Sequence, residues 1–156
     1  MPKRSAGILL HRTAAGGQLE VLLVHPGGPF WAKRDDGAWS IPKGEYGEDD
    51  DPLASALREF EEETGTPLEP GELVELGSVK QKSGKVVVAW AIRGDLDADA
   101  IHSNTFAMEW PPRSGRTAEF PEVDRAGWFD PPAARRKLVA AQAAFVDRLL
   151  ERLDAP

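Results

Sequence analysis

Cysteine is absent from this chain of 156 residues. That excludes a disulfide framework and any thiolate metal site. No apolar run approaches the roughly 20 residues that a membrane-spanning helix needs. No basic segment followed by an apolar stretch stands at the start, so secretion is not expected and the cytoplasm is the expected location. An excess of cations is also missing. The formal charge is −7, from 19 Lys and Arg against 26 Asp and Glu. This argues against broad nucleic-acid binding. It does not argue against a single nucleotide, because a bound divalent cation reverses the local sign. The three histidines, His11, His25 and His102, are scattered without ligand spacing and read as ordinary strand-end or surface residues. There is no Walker-type glycine loop, and no Ser-His-Asp arrangement stands out.

What the chain does have is concentrated between Gly44 and Thr66, which read GEYGEDDDPLASALREFEEETGT. Asp51 suits an N-cap and Pro52 the first helical position, while Gly65 is a natural left-handed terminator. A helix is therefore expected from about Pro52 to Thr64. On it Glu59, Glu62 and Glu63 share one face, being related by i, i+3 and i+4. Leu53, Leu57 and Phe60 fall on another side and would seat the helix on a core. Arg58 is adjacent and can pair with a carboxylate. Most glutamate-rich helices are simply solvated. Here like charges repel at i, i+4 and no lysine stands at the compensating positions. Such a cluster fits a hard divalent cation, with Mg²⁺ the first candidate and Mn²⁺ a possible substitute.

In these residues the chain resembles the Nudix hydrolase family. That family carries Gly, five residues, Glu, seven residues, Arg-Glu, an apolar residue, any residue, Glu-Glu, any residue, Gly and an apolar residue. Gly44, Arg58, Glu59, Glu62, Glu63 and Gly65 match, and Phe60 meets the apolar requirement. By chance the six strict matches would arise in roughly one such chain in 10⁵, which makes coincidence a poor explanation. Two positions depart: Asp50 replaces a Glu, and Thr66 an apolar residue. The resemblance implies an α/β/α sandwich with a mixed β-sheet between helices. It also implies metal-dependent cleavage of a P–O–P bond in a compound linked to a nucleoside diphosphate. By the same resemblance Glu59, Glu62 and Glu63 are the metal ligands, Glu59 is the first candidate for general base, and the Lys43 carbonyl is a candidate for a further ligand. A further acid from a later loop is expected. Glu119, Glu122 and Asp124 compete for that role, and the offset of Glu122 to Trp128 favours it.

The remaining pattern is that of one α/β domain over residues 1–156. Strands are expected at Ser5 to His11, Leu19 to His25, Leu73 to Lys82, Lys85 to Arg93, Asn104 to Trp110 and Ala126 to Phe129. A single long amphipathic helix is expected from Ala133 to Leu153, making two helices in all.

The stretch Trp39-Ser40-Ile41-Pro42-Lys43-Gly44 is similar to the entry of diadenosine polyphosphate hydrolases, so dinucleoside polyphosphates are the expected substrates. Nucleoside triphosphates, RNA 5′ ends, inositol polyphosphates and a non-catalytic nucleotide-sensing role on the same fold are the alternatives. Lys43, Lys82, Arg113 and Arg116 are candidates for holding a polyphosphate. Tyr46, Trp31, Trp90 and Trp110 are candidates for stacking on a base. Trp39 and Trp128 are expected to be structural.

Overall fold

The computed structural model describes residues 3–154. The expected domain limits at 1 and 156 lie outside the described residues. In order come β1 (Arg4–Thr13), β2 (Leu19–Pro26), β3 (Lys43–Glu45), α1 (Pro52–Thr64), β4 (Leu73–Lys80) and β5 (Val86–Arg93). They are followed by β6 (Thr105–Glu109), β7 (Thr117–Pro121), β8 (Val123–Phe129), α2 (Pro131–Lys137) and α3 (Ala143–Asp154).

The main sheet runs β4-β5-β1-β2-β8, with β3 also on β1. Of its strand pairs among the described residues, β1 with β5 is parallel and the others are antiparallel. Period-two alternation divides β1 between two cores. Ala6, Ile8 and Leu10 face α1 with Leu22, Ala56, Phe60 and Ile92. Leu9 joins Val21, Leu23, Trp39 and Ile41 against Phe145, Val146 and Leu149 of α3. The result is the mixed sheet between helices expected from the sequence. No helix among the described residues is long and apolar enough to cross a membrane.

Strands β2 and β3 share one edge of β1. The C-terminal end of β1 pairs His11 to Thr13 with β2, and its N-terminal end pairs Ser5 to Gly7 with β3. Beyond that shared edge Val24 exchanges backbone hydrogen bonds with Ser40. A cleft lies beside this bridge, between the end of β2 and the segment that leads into β3.

Helix α1 has the limits the sequence implied. Asp51 accepts a hydrogen bond from the Ala54 amide at 3.0 Å, and Gly65 ends the helix at φ 81°. The long C-terminal helix does not form. It breaks at Leu138, which is extended at φ −70° and ψ 148°, giving three α-helices among the described residues rather than two. Neither glycine nor proline marks the break. Trp39 takes over the backbone there: its amide donates to Lys137 and its carbonyl accepts from Val139. Those bonds replace helical ones, so the helix stops. Strands β3 and β7 were also not anticipated. Lys43–Glu45 is too short to show alternation, and Thr117–Pro121 is paired only with β6.

Behind the break sits Gln142, fully buried. Its Oε1 accepts from the Ile41 amide at 2.9 Å, and its Nε2 donates to Gln81 Oε1 at 2.9 Å. This side chain ties the turn that enters α3 to the segment leading into Lys43. Gln142→Leu keeps the volume but strands the Ile41 amide without a partner. It should cost about 1–3 kcal/mol, measured by urea denaturation. A variant as stable as the parent would show that the Ile41 amide finds another acceptor.

Candidate active site

Strand β3 lies directly under α1, and this contact sets the site. The Glu59 side chain folds across the Cα of Gly44. A Cβ at position 44 would fall inside the envelope of the Glu59 carboxyl group. The glycine is therefore needed because a carboxylate occupies the space where a side chain would stand.

One turn further along α1, Glu63 reaches the strand as well. Its Oε2 accepts a hydrogen bond from the Lys43 amide at 2.9 Å. Burial is the main cause of the high proton affinity of Glu63, whose pKa is pushed up to about 8. The neighbouring Glu59 and Glu122 add to this, and the Lys43 amide and ammonium oppose it. Glu59 is also held above the usual carboxylate range, first by burial and then by Glu62, with Arg58 opposing. Arg58 lies 3.7 Å from Glu59 and 3.9 Å from Glu62, beyond hydrogen-bond length, and its side chain is 55% exposed. Such solvated pairs contribute a few tenths of a kcal/mol. They do not neutralise the cluster.

Glu122 stands at the junction of β7 and β8 and lines the same cleft as Glu63. Burial and then Glu62 raise its proton affinity. Backbone hydrogen bonds tie it to the helix. The Asn104 amide donates to the Glu62 carbonyl at 2.8 Å, and the Glu122 amide donates to the Asn104 carbonyl at 2.8 Å. The Gly27 amide in turn donates to the Glu122 carbonyl at 3.0 Å. Glu119, on β7, is exposed. Asp124 is engaged elsewhere, 2.8 Å from His25 Nδ1.

His25 is fully buried, and His11 nearly so, which corrects the reading of both as ordinary strand-end or surface residues. His25 Nε2 donates to the Arg34 carbonyl at 2.6 Å. Strand β8 and the loop after β2 are thereby joined. Burial, then Arg93, lowers the proton affinity of His11.

Glu63, Glu122, Lys43 and Ser40 line one cleft of about 130 Å³, together with Val24, Pro26 and Val123. The Lys43 ammonium is desolvated. Burial and Lys85 lower its pKa, with Glu63, Glu45 and Glu59 opposing. Lys85 is the hairpin lysine drawn toward this group, lying 4.0 Å from Glu45. Lys82 stays exposed at the turn. Tyr46 packs beside the α1 core and lines a separate cavity of about 460 Å³ with Lys3, Arg4 and Asp50. Asp50 serves its own loop, accepting from the Gly47 amide at 2.8 Å. Arg113 and Arg116 stand at the tip of the β6–β7 hairpin. Trp39 is buried and Trp128 donates to the Leu96 carbonyl, both as expected of structural residues. Asn104, which carries the backbone link to Glu122, has no sequence signal that would have singled it out.

The donors fit a divalent cation. All are hard carboxylate oxygens, and Glu59, Glu63 and Glu122 each bind protons more tightly, first because they are buried and then because other carboxylates crowd them. A dication relieves that repulsion. Among the described residues no three acidic or histidine side chains already converge as a finished ligand set.

The chain matches the model of the NUDIX domain over residues 1–149. No curated protein sequence matches it. Among solved structures it is similar to an Ap4A hydrolase of C. elegans, with a TM-score of 0.66 at 19% identity, covering 97% of each chain. It is equally similar to the NUDIX domain of NrtR from Shewanella oneidensis, solved with ADP ribose. There the TM-score is 0.66 at 18% identity, with 98% of this chain and 89% of that one covered. RenU, a Nudix hydrolase of M. smegmatis, gives a TM-score of 0.59 at 23% identity over 96% and 84% of the two chains.

Glu63 predicts a pH dependence of stability. Its pKa is higher in the folded chain, about 8, than its ordinary value of 4.5. Between those limits the folded state holds a proton that the unfolded state has released. Stability of the metal-free protein therefore falls as pH rises through this window. Glu63→Gln keeps an acceptor for the Lys43 amide and removes the titration. It should flatten a decline of a few kcal/mol between pH 5 and pH 8, read by denaturant melts in chelator. An unchanged slope would place the protonation elsewhere.

Proposed function

The chain belongs to the NUDIX family of pyrophosphohydrolases, and from that premise we propose that it is a Mg²⁺-dependent hydrolase of dinucleoside polyphosphates such as diadenosine tetraphosphate, acting as a single domain. The observation that carries the reading is the set of four neighbouring carboxylates on and beside α1, of which Glu59 and Glu63 press on the strand of Gly44 and Lys43. Glu59, Glu62 and Glu63 come from one helix and Glu122 is bound to it through Asn104. A module that only sensed a nucleotide would have no need to keep the costly combination of Glu59, Glu62, Glu63 and Arg58. The entry Trp39 to Gly44 supports the choice of substrate. Similarity to the Ap4A hydrolase fold is compatible with it.

Glu59, Glu62, Glu63 and Glu122 would hold the Mg²⁺, with the Lys43 carbonyl as a further donor and Mn²⁺ as a substitute. The bound ion supplies charge neutralisation at the phosphoryl oxygens and a lower pKa for the attacking water. The chain's own groups do the rest. Glu59 has a raised proton affinity and its position is fixed across Gly44, so it can take the proton of the attacking water. The new bond joins that oxygen to phosphorus. The bond from phosphorus to the bridging oxygen breaks, and that oxygen leaves on the second product. The Lys43 ammonium meets the phosphate chain as a point charge in the cleft. The tether through Asn104 keeps Glu122 in register with the helix, so orientation is set before substrate arrives.

Incubation of diadenosine tetraphosphate with the protein and Mg²⁺ should yield AMP and ATP on anion exchange, and chelator should stop the reaction. Pyrophosphate released from nucleoside triphosphates, with the dinucleotide untouched, would overturn the substrate class. Gly44→Ala displaces Glu59 and should lower kcat at least a hundredfold with little change in stability. Near-parental kcat in that variant would remove Glu59 from the proton transfer.

A further inference from the structure

The aromatic side chains outside the core are gathered in one place. Phe30 is 62% exposed and Trp31 39% exposed, in a chain whose other large apolar residues are mostly covered. Phe30 meets Trp110 edge to face, with ring centroids 5.7 Å apart and planes at 87°. Trp110 is the residue just after β6, and its amide donates to the Arg116 carbonyl at 2.9 Å. Continuing the β6–β7 register from Glu109 and Thr117 sets Trp110 opposite Arg116, on the same face of the hairpin as Phe106 and Phe120. The Arg34 guanidinium lies 5.6 Å over the Trp31 ring. Arg34, Arg113 and Arg116 make no ion pair among the described residues. On a chain of net charge −7, unpaired arginines beside exposed rings are an anionic, aromatic ligand's complement.

The surface is rigid and continuous with the carboxylate cleft. His25, held by Asp124, grips the Arg34 carbonyl. The Gly28 backbone lies against the Phe106 ring, and Gly27 is bonded to Glu122. From Glu122 at the base of the hairpin to Arg116 at its far end, opposite Trp110, six residue steps span about 20 Å. That is too far for a base attached next to the phosphate being cut. It suits the other end of a phosphate chain.

We infer that Phe30 and Trp110, with Arg34, Arg113 and Arg116 around them, form the stacking site for the second nucleobase of a dinucleoside polyphosphate, the one remote from the carboxylate cleft. This rests on the function proposed above and adds to it. A base stacks on Phe30 and the edge of Trp110, while the arginines meet the phosphates leading to it. The site then selects substrates with a base at both ends over those with a bare phosphate terminus.

The test compares diadenosine tetraphosphate with adenosine 5′-tetraphosphate, which has the same phosphate count and no second base. Binding is read by quenching of tryptophan fluorescence in chelator, so no turnover is needed. The parent should bind the dinucleotide at least tenfold more tightly. Phe30→Ala should erase that preference, weakening the dinucleotide about tenfold and leaving adenosine tetraphosphate within twofold. Phe30→Tyr should restore it. In turnover the loss should appear in KM for the dinucleotide, with kcat unchanged. Equal binding of the two ligands by the parent, or equal weakening of both by Phe30→Ala, would overturn the inference. A clear binding preference without cleavage of the dinucleotide would keep this site and remove the proposed reaction. Cleavage without a preference would do the reverse.

Discussion

The contact between α1 and β3 is the constraint on which the rest depends. Two carboxylates one turn apart are pressed onto three residues of strand, one across the Cα of Gly44 and one onto the amide of Lys43. A helix resting on the sheet through Phe60 and Ala56 alone could slide or roll by a fraction of a turn. The Glu63 hydrogen bond and the glycine gap fix both motions. Because β3 is itself paired with β1, the carboxylates take their positions from the centre of the main sheet.

That placement is unfavourable in itself. Burial and mutual repulsion raise the proton affinity of three carboxylates, and the one adjacent arginine stays largely in water. The compensation comes from elsewhere. Residues facing α1 and residues facing α3 form two apolar layers, and together they hold a sheet that cannot relax away from its charged edge. Strain of this kind is tolerated where a ligand will relieve it. A dication would match such a site best, and without one the scaffold carries the cost.

Helix α1 was legible in the sequence to the residue, because its cap, its proline, its terminator and its apolar stripe are all local signals. So were most strands of the main sheet, since alternation and turn residues coincide there. The break at Leu138 was not, because its cause is a backbone exchange with Trp39, far away in sequence and invisible to periodicity. Strand β3 was hidden for a related reason: three residues paired to β1 carry too little pattern. Within the site, the glutamates could be read from spacing and resemblance. The partners that position them could not. Asn104 acts through its backbone, and the role of Asp124 depends on a buried His25 that looked ordinary in the sequence.

The segment after α1 departs at Gly65 and is brought back to the same helix end. The His102 amide donates to the Thr64 carbonyl at 2.9 Å, next to the bond from Asn104 to Glu62. Everything between, including the β4–β5 hairpin, is an excursion closed at its neck. Insertions or deletions at its outer turn, around Ser83 and Gly84, leave the spacing between Glu62 and Glu122 untouched. Evolution can therefore vary that turn, and the exposed Lys82 beside it, without disturbing the backbone bonds that hold the carboxylates. The neck separates what a lineage is free to change from what its chemistry requires it to keep.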